Sequence, residues 1–185
     1  MPFTQTPIKD LVIFEPRVFE DERGYFFESY NQKLFEENGI DTKFIQDNQS
    51  KSSLGVLRGI HFQKPPFAQA KLVRVLSGKV LDVAVDLRPE SATFGEYFAI
   101  ELTAENKKQL FIPRGFGHGF VVLSQTAEFA YKCDNLYSKE HESGIIYNDS
   151  DLKIDWQIET SELIISDKDQ QLKSFVEFKN SLFSN

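Results

Sequence analysis

Apolar and polar residues alternate with a period of two through the middle of the chain. The alternation is clearest at residues 81–87, where leucines and valines alternate with Asp82, Ala84 and Asp86. This is the period of a β-strand with one buried face, and it predicts that the leucine and valine face points inward. The same signal, punctuated by Gly and Pro, predicts further strands at residues 71–75, 97–102, 109–112, 119–123 and 128–132.

Many short strands at this spacing favour a closed antiparallel barrel or sandwich, because closure removes exposed sheet edges. Before them, strands at 11–14 and 25–28 with a turn at 21–24 are most simply explained as a hairpin. Asn31 is suited to cap a helix of about two turns that stops at Gly39. We therefore expect an all-β fold with short peripheral helices.

The tail changes character from Asn148 onward, where it becomes polar and acidic. It then predicts one weakly amphipathic helix carrying Leu172, Phe175, Val176 and Lys179. With no internal repeat and no linker-like stretch, the economical interpretation is one domain over residues 1–185. Its barrel is expected at about 43–137 and its C-terminal cover at 138–185.

Composition narrows the class of protein. The chain has 185 residues, 41% of them hydrophobic, which suffices for one folded core. A net charge of −7 opposes nucleic acid as a partner. No apolar run is long enough to span a membrane, and the N-terminus lacks the pattern of a secretory signal, so we expect a cytoplasmic protein. A single cysteine, Cys133, allows no internal disulfide and no thiolate metal cage.

Two of the three histidines lie in glycine-containing segments. His61 follows Gly59, and His118 lies between Gly117 and Gly119. A lone histidine is more often a hydrogen-bonded interior or loop residue than a catalytic one. Glycine permits close approach of the backbone to a ligand, which weakens that preference here.

The Pro-x-Gly-x-x-His pattern ending at His118 resembles the second motif of the cupin superfamily, and GIHFQ at 59–63 resembles the first. Metal-binding cupins carry His-x-His in the first motif, whereas this chain has Gln63 at the second position. His61 and His118 alone fall short of the about three protein ligands that a stable transition-metal site needs. We therefore expect no metal.

A tighter resemblance, to the dTDP-4-dehydrorhamnose 3,5-epimerase family, covers almost the whole chain. The similar segments occur in the family's order: DERGYFFE at 21–28, QDNQS at 46–50, VLRGIHFQ at 56–63, KLVR at 71–74, DVAVDLR at 82–88, IPRGFGHGF at 112–120, ND at 148–149, IDW at 154–156 and SDKD at 166–169. The resemblance implies a cupin-type double-stranded β-helix, or jelly-roll barrel. It also implies a cofactor-independent isomerase that works as a homodimer in deoxysugar biosynthesis.

Epimerisation beside a ketone requires a base, an acid on the opposite face, and a group that stabilises the enolate oxygen. The resemblance implies that His61 is the base, oriented by Asp169, and that Tyr131 is the proton donor. It implies that Lys71 lies near the C4 oxygen of the sugar. Without the resemblance, Tyr131 would be read as a core tyrosine and Asp169 as a solvated tail carboxylate.

The resemblance also implies the residues that bind the dTDP-sugar. Arg23 and Arg58 correspond to contacts with the diphosphate, and a guanidinium suits phosphate geometry. Tyr137 corresponds to the ring that stacks on thymine. The remaining implied contacts are Glu28, Gln46, Asn48, His118, Glu142 and Lys168. In the family the N-terminal strands, here within residues 1–50, cross to the partner barrel, so Arg23 and Glu28 are expected at the neighbouring site.

Three other hypotheses remain open at this point. The first is an epimerase that inverts only C3 or only C5, because sugar orientation decides which proton reaches the base. The second is a metal-dependent cupin that uses His61 and His118, and Gln63 speaks against it. The third is a non-catalytic barrel that binds a sugar nucleotide, which the presence of both His61 and Tyr131 disfavours.

Overall fold

Two antiparallel sheets face each other around an apolar interior in the computed structural model, which describes residues 2–183. Strands are numbered in chain order. Sheet one has six strands in the hydrogen-bonded order β1 (Phe3–Gln5), β2 (Val12–Phe14), β10 (Gln109–Ile112), β7 (Lys71–Ser77), β12 (Thr126–Cys133) and β5 (Gln46–Ser53). Sheet two has five: β13 (Glu142–Gly144), β6 (Leu57–Gln63), β11 (Phe116–Val122), β8 (Lys79–Asp86) and β9 (Tyr97–Thr103).

This architecture confirms the predicted all-β, cupin-type jelly roll with short peripheral helices. Every strand predicted between residues 71 and 132 has a counterpart, although β11 begins earlier than expected, at Phe116. The turn at residues 76–79 carries the chain from sheet one to sheet two, with Gly78 in the left-handed region at φ 77°.

The N-terminal hairpin forms with a different partner strand from the one expected. The turn lies where predicted, but it joins β3 (Phe19–Asp21) to β4 (Gly24–Phe26). The earlier strand, β2, pairs instead with β1 and β10. The sequence pattern locates a turn but leaves open which of two nearby apolar runs pairs across it.

The inward face of β8 is opposite to the predicted one. Leu81, Val83 and Val85 pack away from the barrel interior, in an apolar cluster with Trp156 and Phe178 of the C-terminal segment. Asp82 and Ala84 lie on the face that lines the barrel. Both faces are buried, so alternation separates them correctly but does not say which one the interior takes.

Three short helices and a 3-10 turn lie outside the sheets. Helix α1 (Gln32–Glu36) is capped by the Asn31 side chain, which accepts from the Leu34 N–H at 3.3 Å. It is one turn long rather than two. The others are the 3-10 turn Thr160–Glu162, α2 (Asp167–Gln170) and α3 (Phe175–Phe183), so the predicted tail helix begins at Phe175 and excludes Leu172. Within residues 2–183 the helices are all too short to cross a bilayer.

Candidate active site

A cavity of about 530 Å³ opens into the barrel between the two sheets. Sheet one contributes β12 and β7, sheet two contributes β6 and β11, and the segment around α2 closes one side. Its volume is typical of a small-molecule site. The structure brings seven of the predicted site residues to its wall: His61, Tyr131, Lys71, Asp169, Arg58, His118 and Lys168.

A bulge in β6 places Arg58 and His61 on the same wall. His118 of β11 pairs with His61, whereas Phe120 pairs with Arg58, so β6 has one extra residue over this stretch. Simple alternation would send the two side chains to opposite faces. Gly59 sits in the bulge at φ 124°, where a Cβ atom would lie 2.5 Å from the Gly119 Cα. Only glycine allows this close approach of β6 to β11.

His61 is held by the buried carboxylate of Asp169. The distance from His61 Nε2 to Asp169 Oδ1 is 2.8 Å, and Asp169 Oδ2 accepts from the Gly59 N–H at 3.3 Å. Ser166 caps α2 and fixes the first turn that carries Asp169. Burial alone would raise the pKa of Asp169, but the hydrogen bonds from His61 and Gly59 outweigh it and lower the pKa. Asp169 is therefore a carboxylate, and Nδ1 is the ring nitrogen of His61 that this contact leaves available.

Tyr131 and Lys71 lie on the opposite sheet. Tyr131 is on the interior face of β12 with Phe129, and the Lys71 amine is 5.8 Å from the centre of the Tyr131 ring. Burial raises the pKa of Tyr131, so its hydroxyl stays protonated near neutral pH. The cavity thus has an imidazole on one sheet and a phenol on the other.

The Lys71 ammonium forms neither a hydrogen bond nor an ion pair with any residue in the range 2–183. Burial lowers the pKa of its ammonium, and the carboxylates of Asp82 and Glu142 partly oppose that shift. Burial also raises the pKa of the neighbouring Cys133 thiol to about 11, so this thiol carries no charge near neutral pH. An ammonium without a fixed partner suits an oxygen that becomes negative during a reaction.

Asp82 is a site residue that sequence reasoning missed. It is fully buried, and its Oδ2 lies 2.9 Å from His118 Nε2. Its Oδ1 has no hydrogen-bond partner in the part of the chain that the structure describes. Burial lowers the pKa of His118 despite the adjacent carboxylate. The sequence carries one signal for it, an aspartate in an otherwise apolar strand.

A hydrogen-bonded chain lines one side of the cavity mouth. The Tyr137 hydroxyl donates to Glu142 Oε2 at 2.8 Å, and the same oxygen is 2.6 Å from Lys168 Nζ. Burial alone would raise the pKa of Glu142, but hydrogen bonds from Lys168 and Tyr137 outweigh it and lower the pKa. The Tyr137 backbone N–H donates to Gln46 Oε1 at 3.2 Å, and the Gln46 amide donates to Asn48 Oδ1 at 3.2 Å. Tyr137, Glu142, Gln46 and Asn48 are therefore gathered beside the cavity.

Gln63, which stands where metal-binding cupins have a histidine, contacts backbone groups instead of the cavity. Its side chain bonds to Phe67, Leu136 and Ser138. Among residues 2–183, no cluster of three or more His, Cys, Asp or Glu side chains has an arrangement that would hold a metal ion. The donor set on these residues therefore does not fit a metal-dependent cupin.

Arg23 and Glu28 are not brought to this cavity within the chain. Arg23 lies on the exposed β3–β4 hairpin and pairs with Asp21 at 2.5 Å. Glu28 follows β4 and accepts from the Asn31 amide at 3.1 Å. Both side chains face solvent, away from His61.

Comparison with known proteins gives consistent matches. The family model described as dTDP-4-dehydrorhamnose 3,5-epimerase matches residues 5–177. The dTDP-4-dehydrorhamnose 3,5-epimerase of Shigella flexneri is 53% identical over 96% of this chain and 97% of its own. The crystal structure of the enzyme of that name from Elizabethkingia anophelis NUHP1 has a TM-score of 0.92 and 60% identity, covering 95% of this chain and 96% of that one.

A second solved structure carries a ligand. It is the dTDP-6-deoxy-D-glucose-3,5-epimerase of Legionella pneumophila Philadelphia 1 in complex with dTDP-4-keto-L-rhamnose. It has a TM-score of 0.92 and 47% identity, and the alignment covers 97% of this chain and 95% of that one.

Proposed function

This chain belongs to the dTDP-4-dehydrorhamnose 3,5-epimerase family, and on that premise we propose the reaction and the role of each site residue. The protein is an isomerase that inverts C3 and C5 of dTDP-4-dehydro-6-deoxy-D-glucose to give dTDP-4-dehydro-L-rhamnose. The observation that carries the assignment of roles is one cavity in which His61, held by Asp169, and Tyr131 lie on opposing sheets with Lys71 nearby.

Proton abstraction is the first step. The hydrogens on C3 and C5 flank the C4 carbonyl, so removing one leaves an enolate with its charge on the C4 oxygen. His61 Nδ1 takes the proton, and the C–H electron pair becomes the enolate. Asp169 stabilises the imidazolium through the 2.8 Å contact at Nε2. The Lys71 ammonium stabilises the enolate oxygen.

Reprotonation completes the inversion. The Tyr131 hydroxyl gives its proton to the carbon from the face opposite His61, and the enolate electrons re-form the C–H bond. The resulting phenolate and imidazolium recover their resting states by proton exchange with solvent. The same groups then act on the second carbon. Because burial raises the pKa of Tyr131, its hydroxyl stays protonated until it transfers the proton to the enolate carbon.

The nucleotide is held at the mouth of the cavity. Arg58, whose Nε donates to Ser52 Oγ at 3.2 Å, binds the diphosphate with Lys168. Tyr137 stacks on thymine, and it is an exposed residue, as that role requires. Gln46, Asn48, His118 and Glu142 supply further polar contacts to the nucleotide and sugar.

The proposal includes a homodimer in which Arg23 and Glu28 serve the partner's site. The β3–β4 hairpin exposes Phe19, Tyr25 and Phe26 by 51%, 59% and 67%, which is unusual for large apolar rings on a monomer surface. An adjoining apolar cleft, lined by Phe14, Phe19, Phe26 and Leu34, offers area for a second copy of the chain. A two-fold contact would use the same surface on both copies.

Complementation tests the shared site. His61→Asn and Arg23→Ala variants are each expected to be nearly inactive. After unfolding and refolding together, mixed dimers contain one intact site each, so about a quarter of the wild-type activity returns. A mixture as inactive as its components, or a monomer in light scattering at micromolar concentration, would contradict the dimer.

We also place the enzyme in the cytoplasm, where nucleotide-activated sugars are made.

Solvent labelling tests the reaction itself. The substrate is incubated in D₂O with EDTA present, and the product is examined by mass spectrometry and proton NMR. The proposal predicts one deuterium at C3 and one at C5, with full activity in the chelator. A label at only one carbon would indicate a mono-epimerase. No label with the wild-type protein, while dTDP still binds, would indicate a non-catalytic binding barrel and defeat the proposal.

A further inference from the structure

The Gln63 amide connects the loop that follows β6 to the loop that follows β12. It lies at the end of β6 and is 8% exposed. Its Nε2 donates to the carbonyl oxygens of Phe67 at 2.7 Å and Leu136 at 3.1 Å. Its Oε1 accepts from the Ser138 N–H at 2.6 Å. One buried side chain therefore satisfies three backbone groups that would otherwise lack a partner.

Two of those groups flank Tyr137. The bond to Leu136 fixes the peptide before it, and the bond to Ser138 fixes the peptide after it. Tyr137 itself is held at both ends, since its N–H donates to Gln46 and its hydroxyl to Glu142. The residue is nevertheless 56% exposed. Tyr137 is thus fixed through its backbone and its hydroxyl, while its side chain stays accessible to a ligand.

We propose that Gln63 is a positioning residue for the nucleotide: it fixes the Tyr137 loop in the orientation that stacks on the thymine base. The inference rests on the proposed function, which assigns Tyr137 to the base. Binding to a surface aromatic ordinarily includes the entropic cost of ordering its side chain and loop. Because Gln63 orders the Tyr137 loop before dTDP binds, binding no longer includes that entropic cost. Gln63 therefore contributes to dTDP affinity and not to the rate of proton transfer.

The chemistry of a glutamine amide suits this position. A primary amide offers two N–H donors and a carbonyl acceptor on one rigid plane, which matches two carbonyls and one N–H. A methionine has a similar shape and offers neither. A glutamate keeps an acceptor for Ser138 but has no donor for Phe67 or Leu136. The residue that a metal-binding cupin would use as a ligand is here used to shape the nucleotide site.

Binding of dTDP, measured by calorimetry, is the direct test. Gln63→Met is expected to weaken dTDP binding about tenfold, because part of the affinity that stacking on the Tyr137 ring provides is lost. Gln63→Glu is expected to weaken binding at least as much, because a buried carboxylate would face the Phe67 and Leu136 carbonyl oxygens without a donor for either. The matched control is Gln69→Met, because Gln69 donates to the Asn135 carbonyl of the same loop at 2.8 Å but does not flank Tyr137. It should change dTDP affinity less than about twofold.

A double-mutant cycle separates positioning from a merely structural role. In a Tyr137→Ala background, Gln63→Met should no longer weaken dTDP binding, because there is no ring left to orient. Inorganic pyrophosphate, which has no base, should bind the wild type and Gln63→Met equally. The kcat at saturating substrate should stay within about twofold of the wild type, with the loss confined to KM.

Several results would overturn the inference. They are an equal loss of dTDP affinity in the Tyr137→Ala background, a loss for pyrophosphate as well, or a lower kcat with unchanged KM. Variants at Gln63 that are unfolded by circular dichroism at 25 °C would assign its bonds to the fold and also reject the proposal. A wild-type protein that binds dTDP but shows no turnover would refute the proposed reaction and leave this inference standing.

Discussion

Replacing Asp169 by Asn tests whether this carboxylate stabilises a charged His61 during proton abstraction. The substitution preserves the shape of the side chain and a neutral hydrogen bond to Nε2, and it removes the negative charge 2.8 Å from that nitrogen. The fold should survive, because an amide can still accept from the Gly59 N–H that now donates to Asp169. With the amide oxygen on Gly59, the amide nitrogen would donate to His61 Nε2 and place the ring proton on Nδ1. The measured effect would therefore report the loss of the charge together with the loss of the tautomer that leaves Nδ1 free.

The magnitude follows from the geometry of the pair. Two unit charges at about 4 Å interact by about 4 kcal/mol at an effective dielectric constant of about 20. The His61 side chain is 29% exposed and that of Asp169 only 5%, so partial screening leaves about 3 kcal/mol. Each 1.36 kcal/mol is tenfold in rate, so the lost charge alone should lower kcat about 10²-fold, and the change of tautomer should lower it further, with little change in KM.

The assay is the initial rate of solvent deuterium entry into C3 and C5. The control is Asp167→Asn, which removes the same charge from an exposed position two residues away in α2. It should retain nearly full activity. A loss below about fivefold in Asp169→Asn, or an equal loss in both variants, would refute the argument that the charge acts locally on His61.

Three further substitutions have predicted outcomes. Lys71→Met should lower kcat at least about 10²-fold, since it removes the cation beside the enolate oxygen. Burial lowers the pKa of Lys71 in the folded protein below its value in the unfolded chain. The unfolded chain therefore binds the proton more tightly, and the free energy of unfolding rises with pH between the two pKa values. The variant should therefore unfold at a higher temperature than the wild type at pH 7, and a lower Tm would contradict this sign. Tyr131→Phe should lower the rate of inversion about 10²- to 10⁴-fold, while mass spectrometry of recovered substrate still shows deuterium returned by His61; unchanged inversion would exclude Tyr131 as the donor. Burial alone would raise the pKa of Asp86, but hydrogen bonds from Arg88, Ser91 and Thr93 lower it to about 2. The lowered pKa contributes about 2 kcal/mol to the free energy of unfolding, which is present above about pH 4 and lost as the pH falls toward about 2. Denaturant titrations of Asp86→Asn at several pH values should lack that acid-dependent contribution. A pH dependence equal to that of the wild type would contradict the assignment.

The strands could be predicted from the sequence because their signal is local. The alternation at residues 81–87, and the Gly and Pro residues between the apolar runs, can be recognised from neighbouring positions in the chain alone. The side of β8 that faces the interior depends on what covers each sheet. Its leucines and valines pack under Trp156 and Phe178, more than sixty residues later, and Asp82 therefore points to the other side of the sheet, where it contacts His118.

The site depended on contacts that periodicity does not encode. Asp169 reaches His61 across 108 positions of sequence, and only the resemblance to a known family connected the two residues. The bulge at Gly59 sets Arg58 and His61 on one wall, against strict alternation. Nothing in the sequence pattern indicates that Gln63 contacts the loop beside Tyr137.

The central claim is that His61 and Tyr131 act on opposite faces of one sugar ring, and a crystal structure of the protein with dTDP-L-rhamnose tests it most directly. The account predicts a hexose between the two side chains, with His61 Nδ1 and the Tyr131 hydroxyl about 3–3.5 Å from C3 or C5 on opposite faces. The C4 oxygen should point to Lys71, and thymine should stack on Tyr137. A hexose bound outside this cavity, or one with both side chains on the same face, would contradict the account.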